Sequence, residues 1–124
     1  MPIVFAKNAR EFNLPNVTFT PRAAPSLGAT LNSVWQFRVA PHAPGALHQL
    51  TKEEIIVALL GHAVVTLGNK KFQITAGDTI IVPANIDFGL ANESDTGFEA
   101  IAILPVGAQA MMSGELPFTP PWAI

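Results

Sequence analysis

The sequence predicts an all-β protein, an antiparallel barrel or sandwich with little helix. Seven short runs rich in Val, Ile, Phe and Thr recur at roughly ten-residue spacing, which is typical of that class. Eleven prolines and nine glycines punctuate the chain. No segment shows the apolar periodicity of a long amphipathic helix. We therefore expect one β-domain over residues 1–124, a length that suits a single core.

The predicted strands follow one another as VTFT (17–20), SVWQFRVA (33–40), EIIVALL (54–60), AVVTLG (63–68), KFQIT (71–75), TIIVPA (79–84) and GFEAIAIL (97–104). Gly68 and Asn69 predict a tight hairpin between the fourth and fifth strands, since both residues tolerate positive φ. The polar stretch 91–97 predicts a loop before the last strand.

Two strands carry different patterns. Ala63, Val65 and Leu67 alternate with more polar neighbours, which predicts a strand with one buried face. By contrast, residues 55–60 are apolar at every position. That run predicts a strand covered on both sides, by the interior and by a second sheet or a partner.

The two ends are predicted to lie outside the core of residues 33–105. Pro15 and Pro21 limit the pairing of residues 1–32, which we interpret as an N-terminal arm at a sheet edge. Residues 106–124 are too rich in proline for a helix or a central strand. With Phe118 and Trp122 they predict an extended strap across apolar surface.

Composition excludes several functions. The chain has no cysteine, which excludes disulfides and a thiol nucleophile, and its net charge of −2 argues against nucleic-acid binding. The longest apolar run is too short to cross a bilayer, and the N-terminus does not have the pattern of a signal peptide. We expect a cytoplasmic protein with no membrane partner. Only 13% of residues are charged, which together with the doubly apolar strand predicts a homodimer.

A histidine and a glutamate are the main candidates for chemistry. The pKa of a histidine such as His48 normally lies near neutrality, so it could act as a base or a ligand. Glu53 and Glu54 point to opposite faces of a strand, and we expect Glu54 to point inward. An inward carboxylate needs a partner, which could be His48, a metal, a ligand or water.

The spacing of Glu54 and Gly61, followed by Gly77, Pro83 and Asn92, resembles the two motifs of the cupin family. The resemblance covers about residues 33–105. It implies a small antiparallel jelly-roll barrel, also called a double-stranded β-helix. Within the motifs Asn85 stands where glycine is usual, and Gly45 is the nearest match to a displaced leading glycine.

The resemblance also implies a metal site built from three histidines and a glutamate. His48 and Glu54 occupy two of these four positions, whereas Leu50 and Phe88 occupy the other two. Neither Leu nor Phe coordinates a metal. We therefore expect no metal, or a weakly bound divalent transition metal on His48 and Glu54. We expect His48, Leu50, Glu54 and Phe88 to line one internal pocket.

Three functions stay open on the sequence. The first is binding of a small molecule in a largely apolar pocket. The second is an enzyme of the oxygenase or isomerase class, dependent on a metal or on His48 and Glu54 as an acid–base pair. The third is a structural module with a vestigial pocket, since one fold hosts many functions. His42 and His62 are expected outside the site, and Met111 and Met112 are expected to pack.

Overall fold

The computed structural model describes residues 2–124, and its fold confirms the predicted all-β class. Its strands are β1 (Phe12–Leu14), β2 (Val17–Ala23), β3 (Asn32–Val39), β4 (His48–Leu50), β5 (Glu54–Leu60), β6 (His62–Leu67), β7 (Lys70–Thr75), β8 (Thr79–Val82), β9 (Phe88–Ala91), β10 (Phe98–Pro105) and β11 (Ala110–Met112). Three short 3₁₀ turns, Ala6–Asn8, Pro25–Leu27 and Pro121–Ala123, are the helical segments of the described residues.

The strands form two antiparallel sheets, as a jelly roll requires. The first sheet has six strands in the order β1-β2-β3-β10-β5-β8, and the second has five in the order β11-β4-β9-β6-β7. The chain crosses repeatedly between them, so neighbours in the sequence often lie in different sheets. Strands β3 and β10 pair over their whole length, from Phe98 opposite Val39 to Pro105 opposite Asn32.

The core lies between the two sheets. Alternate residues of each long strand are buried, as in β10, where Phe98, Ala100, Ala102 and Leu104 are at most 1% exposed. The predicted alternation in β6 is also observed, because Ala63 and Val65 are buried. One continuous apolar cluster joins residues of both sheets.

Strand β5 has one buried face and one face that is partly open. Ile56 and Ala58 are buried, but Ile55 and Val57 are only half-buried and Leu59 is 44% exposed. The second sheet covers one face of β5, and residues 2–124 leave the other partly open. The predicted cover of the outer face is not supplied by a second sheet of residues 2–124, and cover by a partner stays a prediction.

The predicted hairpin between β6 and β7 forms at Gly68–Asn69, with Leu67 paired to Lys70. Of these two loop residues, Gly68 has positive φ, at 63°. Four short strands, β1, β4, β9 and β11, were not predicted. Each has only three or four residues, too few to show a clear period.

Both chain ends contribute to the sheets. Strand β2, in the predicted N-terminal arm, pairs with β3, and the register shifts between Pro21 and Ala23, where proline cannot donate a ladder hydrogen bond. At the other end the indole of Trp122 stacks on Phe19, with ring centroids 3.8 Å apart. The Ser33 hydroxyl donates a hydrogen bond to the Ala123 carbonyl oxygen at 2.9 Å.

Candidate functional site

Glu54 is a buried acidic residue at the start of β5. Alternation places it on the inner face with Ile56 and Ala58, and it is only 5% exposed. Its cross-strand partner is Val82 of β8, which is fully buried. Glu53 is exposed, as the alternation predicted. The alternation of the strand therefore directs one of the two adjacent carboxyl groups into the apolar interior.

The surroundings of Glu54 change its protonation. Burial raises the pKa of its carboxyl group from 4.5 to about 8, because the charged form loses its hydration. None of the hydrogen bonds found within residues 2–124 involves this group. Among residues 2–124, Trp122 Nε1 is the one buried side-chain nitrogen or oxygen that has neither a hydrogen-bond partner nor contact with solvent. The Glu54 carboxyl therefore borders space that a water molecule can enter.

His48 and Leu50 lie on β4, in the second sheet. Leu50 is 4% exposed and belongs to the core, whereas His48 is half-buried at the strand end. The His48 Nδ1–H donates a hydrogen bond to the Ala46 carbonyl oxygen at 3.1 Å. This bond selects the tautomer in which Nε2 is the acceptor.

Phe88 is paired directly with His48. It is the first residue of β9, and the two rings meet edge to face with centroids 5.4 Å apart. Phe88 is 3% exposed and joins Leu50 in the core cluster. The two apolar residues at the predicted ligand positions are therefore interior wall, next to the imidazole.

The structure separates His48 from Glu54 along the fold. Residues 51–53 form a corner between β4 and β5, so the two residues lie on different strands. His48 belongs to the second sheet and Glu54 to the first. Glu54 is buried, whereas His48 is half-buried and lines a surface depression. No hydrogen bond joins their side chains within the described chain.

The residues present do not form the metal site that the resemblance implies. Residues 2–124 contain no group of three or more His, Cys, Asp or Glu side chains placed to hold one ion. Leu50 and Phe88 offer no donor atom, which leaves one imidazole and one carboxyl group. A transition metal normally has at least three protein ligands in such sites.

The two other histidines lie elsewhere. His42 forms an exposed contact with Asp95, with Nε2 and Oδ1 2.7 Å apart. His62 is exposed and lines, with Thr75 and Glu93, an open depression of about 540 Å³ on the outer side of the second sheet. Neither lies with Glu54 on the inner faces.

The methionines lie on the edge strand β11. Met112 pairs with His48 and is half-buried beside it. Both methionines line a depression of about 440 Å³ together with His48, Gln49 and Asp87. The Gln49 side-chain amide donates a hydrogen bond to Asp87 Oδ1 at 2.9 Å. Of the two, Met112 is the one in register with the candidate site.

Trp35 is a candidate that the sequence argument missed. It is 4% exposed on the inner face of β3, and Ala102 lies between it and Ile56 across the sheet. Its indole N–H makes none of the hydrogen bonds found in residues 2–124, but a water molecule can reach the nitrogen. The alternation in SVWQFRVA could have predicted that Trp35 points inward. It could not have predicted that a small residue of another strand, Ala102, lies beside it.

Asn92, at the predicted motif position, has a structural role. It is fully buried, and its amide group donates to the carbonyl oxygens of Val39 and Thr96 at 3.3 and 2.8 Å. The side-chain oxygen accepts hydrogen bonds from the backbone N–H and the hydroxyl of Ser94. Asn92 therefore shapes the loop before β10 and lies outside the candidate site.

This arrangement of two sheets around a core agrees with a match to a known family. A family model described as a cupin domain matches residues 35–104, more than half of the chain. The chain belongs to the cupin family. No curated protein sequence matches it.

Solved cupin structures share the fold at low sequence identity. The polyketide cyclase RemF from Streptomyces resistomycificus superposes with a TM-score of 0.81 at 16% identity, covering 97% of this chain and 89% of that one. An RmlC-like cupin from Shewanella frigidimarina gives 0.71 at 18%, covering 83% and 88%. A mutant salicylate 1,2-dioxygenase from Pseudoaminobacter salicylatoxidans, in complex with gentisate, gives 0.70 at 13%, covering 82% and 30%.

Proposed function

We propose that this cupin binds a small, largely apolar organic molecule between its sheets, with the Glu54 carboxyl group as the main polar anchor. The supporting observation is that this carboxyl group is buried, has no hydrogen-bond partner in residues 2–124 and borders space of water size. A protonated carboxyl group donates one hydrogen bond and accepts another. It therefore suits a carbonyl or hydroxyl group on the ligand.

The rest of the interior supports an apolar or aromatic ligand. Leu50 and Phe88 supply apolar wall, and the Trp35 indole supplies a second donor. His48 offers Nε2 as an acceptor near the strand end. Binding sites for small molecules combine such walls with a few polar groups that fix orientation. We expect a ring compound carrying a carbonyl or hydroxyl group.

The structural neighbours are consistent with organic ligands. One is named a polyketide cyclase, and another a salicylate 1,2-dioxygenase in complex with gentisate. At 16% and 13% identity they share the fold with this chain. We use them to choose probes, since salicylate and gentisate are small aromatic compounds with carboxyl and hydroxyl groups.

Binding is tested by titrating the protein with 2-hydroxyacetophenone, salicylate and gentisate while following tryptophan fluorescence. We expect the neutral ketone to bind more tightly at about pH 6 than at about pH 9, because the Glu54 carboxyl donates only when protonated. Glu54→Gln keeps a donor and should bind with little dependence on pH. Glu54→Ala should weaken binding about tenfold or more.

Glu53→Gln is the matched control, because Glu53 is adjacent and exposed. It should bind like the native protein. If none of the three compounds binds, or if Glu53→Gln and Glu54→Gln behave alike, the proposal fails. The first of these results would favour a structural module with a vestigial pocket.

An acid–base enzyme is the second candidate, favoured by one observation. Burial raises the pKa of Glu54 to about 8, which makes it a general acid suited to neutral pH. In this scheme Glu54 donates its proton to a substrate carbonyl oxygen while His48 takes a proton from the adjacent carbon, which yields an enol. Exchange of those carbon-bound hydrogens for deuterium should be accelerated by the native protein and not by Glu54→Gln.

A metal-dependent enzyme receives less support, because the donor atoms in residues 2–124 do not form the expected set.

No helix among those residues is long and apolar enough to cross a bilayer. The cytoplasmic location stays a prediction. So does the homodimer.

A further inference from the structure

The C-terminal segment closes one side of the space between the sheets. The first sheet has six strands and the second has five, and β1 and β2 lie at one edge of the first sheet. The 3₁₀ turn Pro121–Ala123 packs against β2 and β3 at this edge. Ala123 is buried in the core cluster that joins the two sheets, and Trp122 packs against that cluster. These residues cover the inner face of the first sheet, and we call residues 119–124 the lid.

Two contacts of the lid lie on either side of Trp35. On one side the Trp122 indole stacks on Phe19, which pairs with position 37 of β3. On the other side the Ala123 carbonyl oxygen accepts the hydrogen bond of Ser33. Positions 33, 35 and 37 of β3 are all buried on the inner face, because side chains of a strand alternate. The lid therefore spans the position of Trp35.

The lid also lies at the level of Glu54. Ser33, which holds the lid, pairs with Leu104 of β10. The preceding residue of β10, Ile103, pairs with Ile55 of β5. Continuing this antiparallel register by one position brings Leu104 opposite Glu54. Because neighbouring strands lie about 4.8 Å apart, the backbone of Glu54 is about 10 Å from that of Ser33. A ligand that enters beneath the lid therefore crosses a single strand to reach the Glu54 carboxyl group.

Few polar contacts hold the lid closed. Within residues 2–124, the side chains that donate hydrogen bonds to it are those of Ser26, Ser33 and Gln109. Its two prolines have no N–H for a sheet ladder. The indole N–H of Trp122 is buried without a partner, which makes the closed position costly. Opening returns this N–H to water and removes that cost, so the closed lid is held mainly by apolar packing.

We propose that the lid opens to admit a ligand to the space beside Trp35 and Glu54, and closes behind it. Both residues are at most 5% exposed, so a ligand reaches them only after some part of the structure moves. Chain ends open locally at a smaller cost in free energy than paired strands do. The ligand itself rests on the function proposed above, whereas opening of the lid is measurable without any ligand.

Acrylamide quenching of Trp35 fluorescence tests the lid in the full chain. The chain has two tryptophans, so Trp35 is the one fluorophore of that kind in both Trp122→Phe and Trp122→Ala. Trp122→Phe keeps an aromatic ring over Phe19, whereas Trp122→Ala removes it. Quenching should be several-fold more efficient in Trp122→Ala. Ser33→Ala added to Trp122→Phe should also raise it, because the lid loses a hydrogen bond. Leu116→Ala in the same background is the control and should not, since Leu116 is 86% exposed.

Stopped-flow mixing with 2-hydroxyacetophenone then tests admission of a ligand. Association and dissociation should both be about tenfold or more faster in Trp122→Ala than in Trp122→Phe, because the open state is more populated. Circular dichroism establishes that each variant is folded. If Trp122→Ala does not fold, the Ser33→Ala variant decides by the same comparison.

Equal quenching of Trp35 in the folded variants overturns the lid, even if the ketone binds. Equal rates of ketone binding overturn it as the route of entry. Increased quenching without any binding of the ketone supports an opening lid and contradicts the ligand proposed above, so the two failures are distinguishable.

Discussion

At the scale of single residues, the burial of Glu54 makes the free energy of unfolding depend on pH. A carboxyl group that is 5% exposed and has no hydrogen-bond partner in the described chain is costly to ionise. Below its ordinary pKa of 4.5 the group is protonated in both the folded and the unfolded chain. Above that pH the unfolded chain releases the proton while the folded chain keeps it, until about pH 8.

We therefore predict that the contribution of Glu54 to stability is fully present below about pH 4.5 and is lost as the pH rises to about 8. Each unit of pKa shift corresponds to about 1.4 kcal/mol, so the loss amounts to a few kcal/mol. Urea unfolding of the native protein and of Glu54→Gln measures it. The stability of Glu54→Gln relative to the native protein should increase across that range.

The exposed neighbour provides the comparison. Glu53→Gln should follow the native pH profile, because an exposed carboxyl group has no comparable desolvation. Parallel pH profiles for the native protein and Glu54→Gln would contradict the proposed state of the buried carboxyl group.

Leu50 and Phe88 carry the second prediction at this scale. The native protein should contain little or no metal after purification without chelator, because one imidazole and one carboxyl group bind a transition metal weakly. Leu50→His combined with Phe88→His should raise the affinity for Ni²⁺ or Zn²⁺ by orders of magnitude. Isothermal titration calorimetry measures the affinity, and elemental analysis measures the metal content.

His48→Ala in that double variant should remove most of the gain, which separates a restored site from incidental histidine binding. The contrary result is a native protein that retains a full equivalent of metal through dialysis and releases it in His48→Ala. That result would favour the metal-dependent enzyme over the binding protein.

At the scale of elements, the corner between β5 and β6 depends on one glycine. Gly61 has φ of 85°, and a Cβ atom there would lie 2.4 Å from the Gly97 carbonyl oxygen. The chain leaves the first sheet for the second at this residue, so the corner cannot shift without disturbing β5 or β10. Gly77 also has positive φ, at 94°, but a Cβ atom there would meet nothing within 4 Å.

Gly61→Ala and Gly77→Ala therefore separate backbone strain from steric contact. We expect Gly77→Ala to cost about 1–2 kcal/mol of unfolding free energy from left-handed strain alone. Gly61→Ala should cost at least about 2 kcal/mol more, because the backbone of Gly97 must also move. Chemical denaturation of both variants checks this. Equal losses would show that the contact between residue 61 and the Gly97 carbonyl oxygen is relieved at little cost in free energy.

At the scale of the whole molecule, the C-terminal segment ties the first sheet to the chain end. Trp122 stacks on Phe19 of β2, and Ala123 accepts the hydrogen bond of the buried Ser33 hydroxyl. The Ser26 hydroxyl donates a further hydrogen bond to Ile124 at 2.6 Å. Residues at opposite ends of the sequence therefore stabilise one another.

Removal of residues 121–124 should lower the unfolding free energy by about 3 kcal/mol, because it exposes Phe19 and leaves Ser33 without its acceptor. Thermal unfolding measures the loss. Leu116→Ala, at an exposed position of the same segment, should leave stability nearly unchanged. An equally small effect of the deletion would show that the chain end contributes only surface contact.

Several features were determined by local sequence. Alternation in residues 63–67 predicted that Ala63 and Val65 are buried, because successive side chains of a strand point to opposite faces. The hairpin at Gly68–Asn69 followed from residues that tolerate positive φ. The resemblance carried by Glu54, Gly61 and Gly77 predicted the family, which the matched domain confirms.

Only the tertiary structure decided how these elements meet. The pairing of β3 with β10 joins segments about sixty residues apart in the sequence, and no local period encodes such a contact. The corner at residues 51–53 places His48 and Glu54 in different sheets, although their spacing fits one strand. The raised pKa of Glu54 has the same origin, because desolvation depends on which apolar strands close around the carboxyl group, and those strands come from distant parts of the chain.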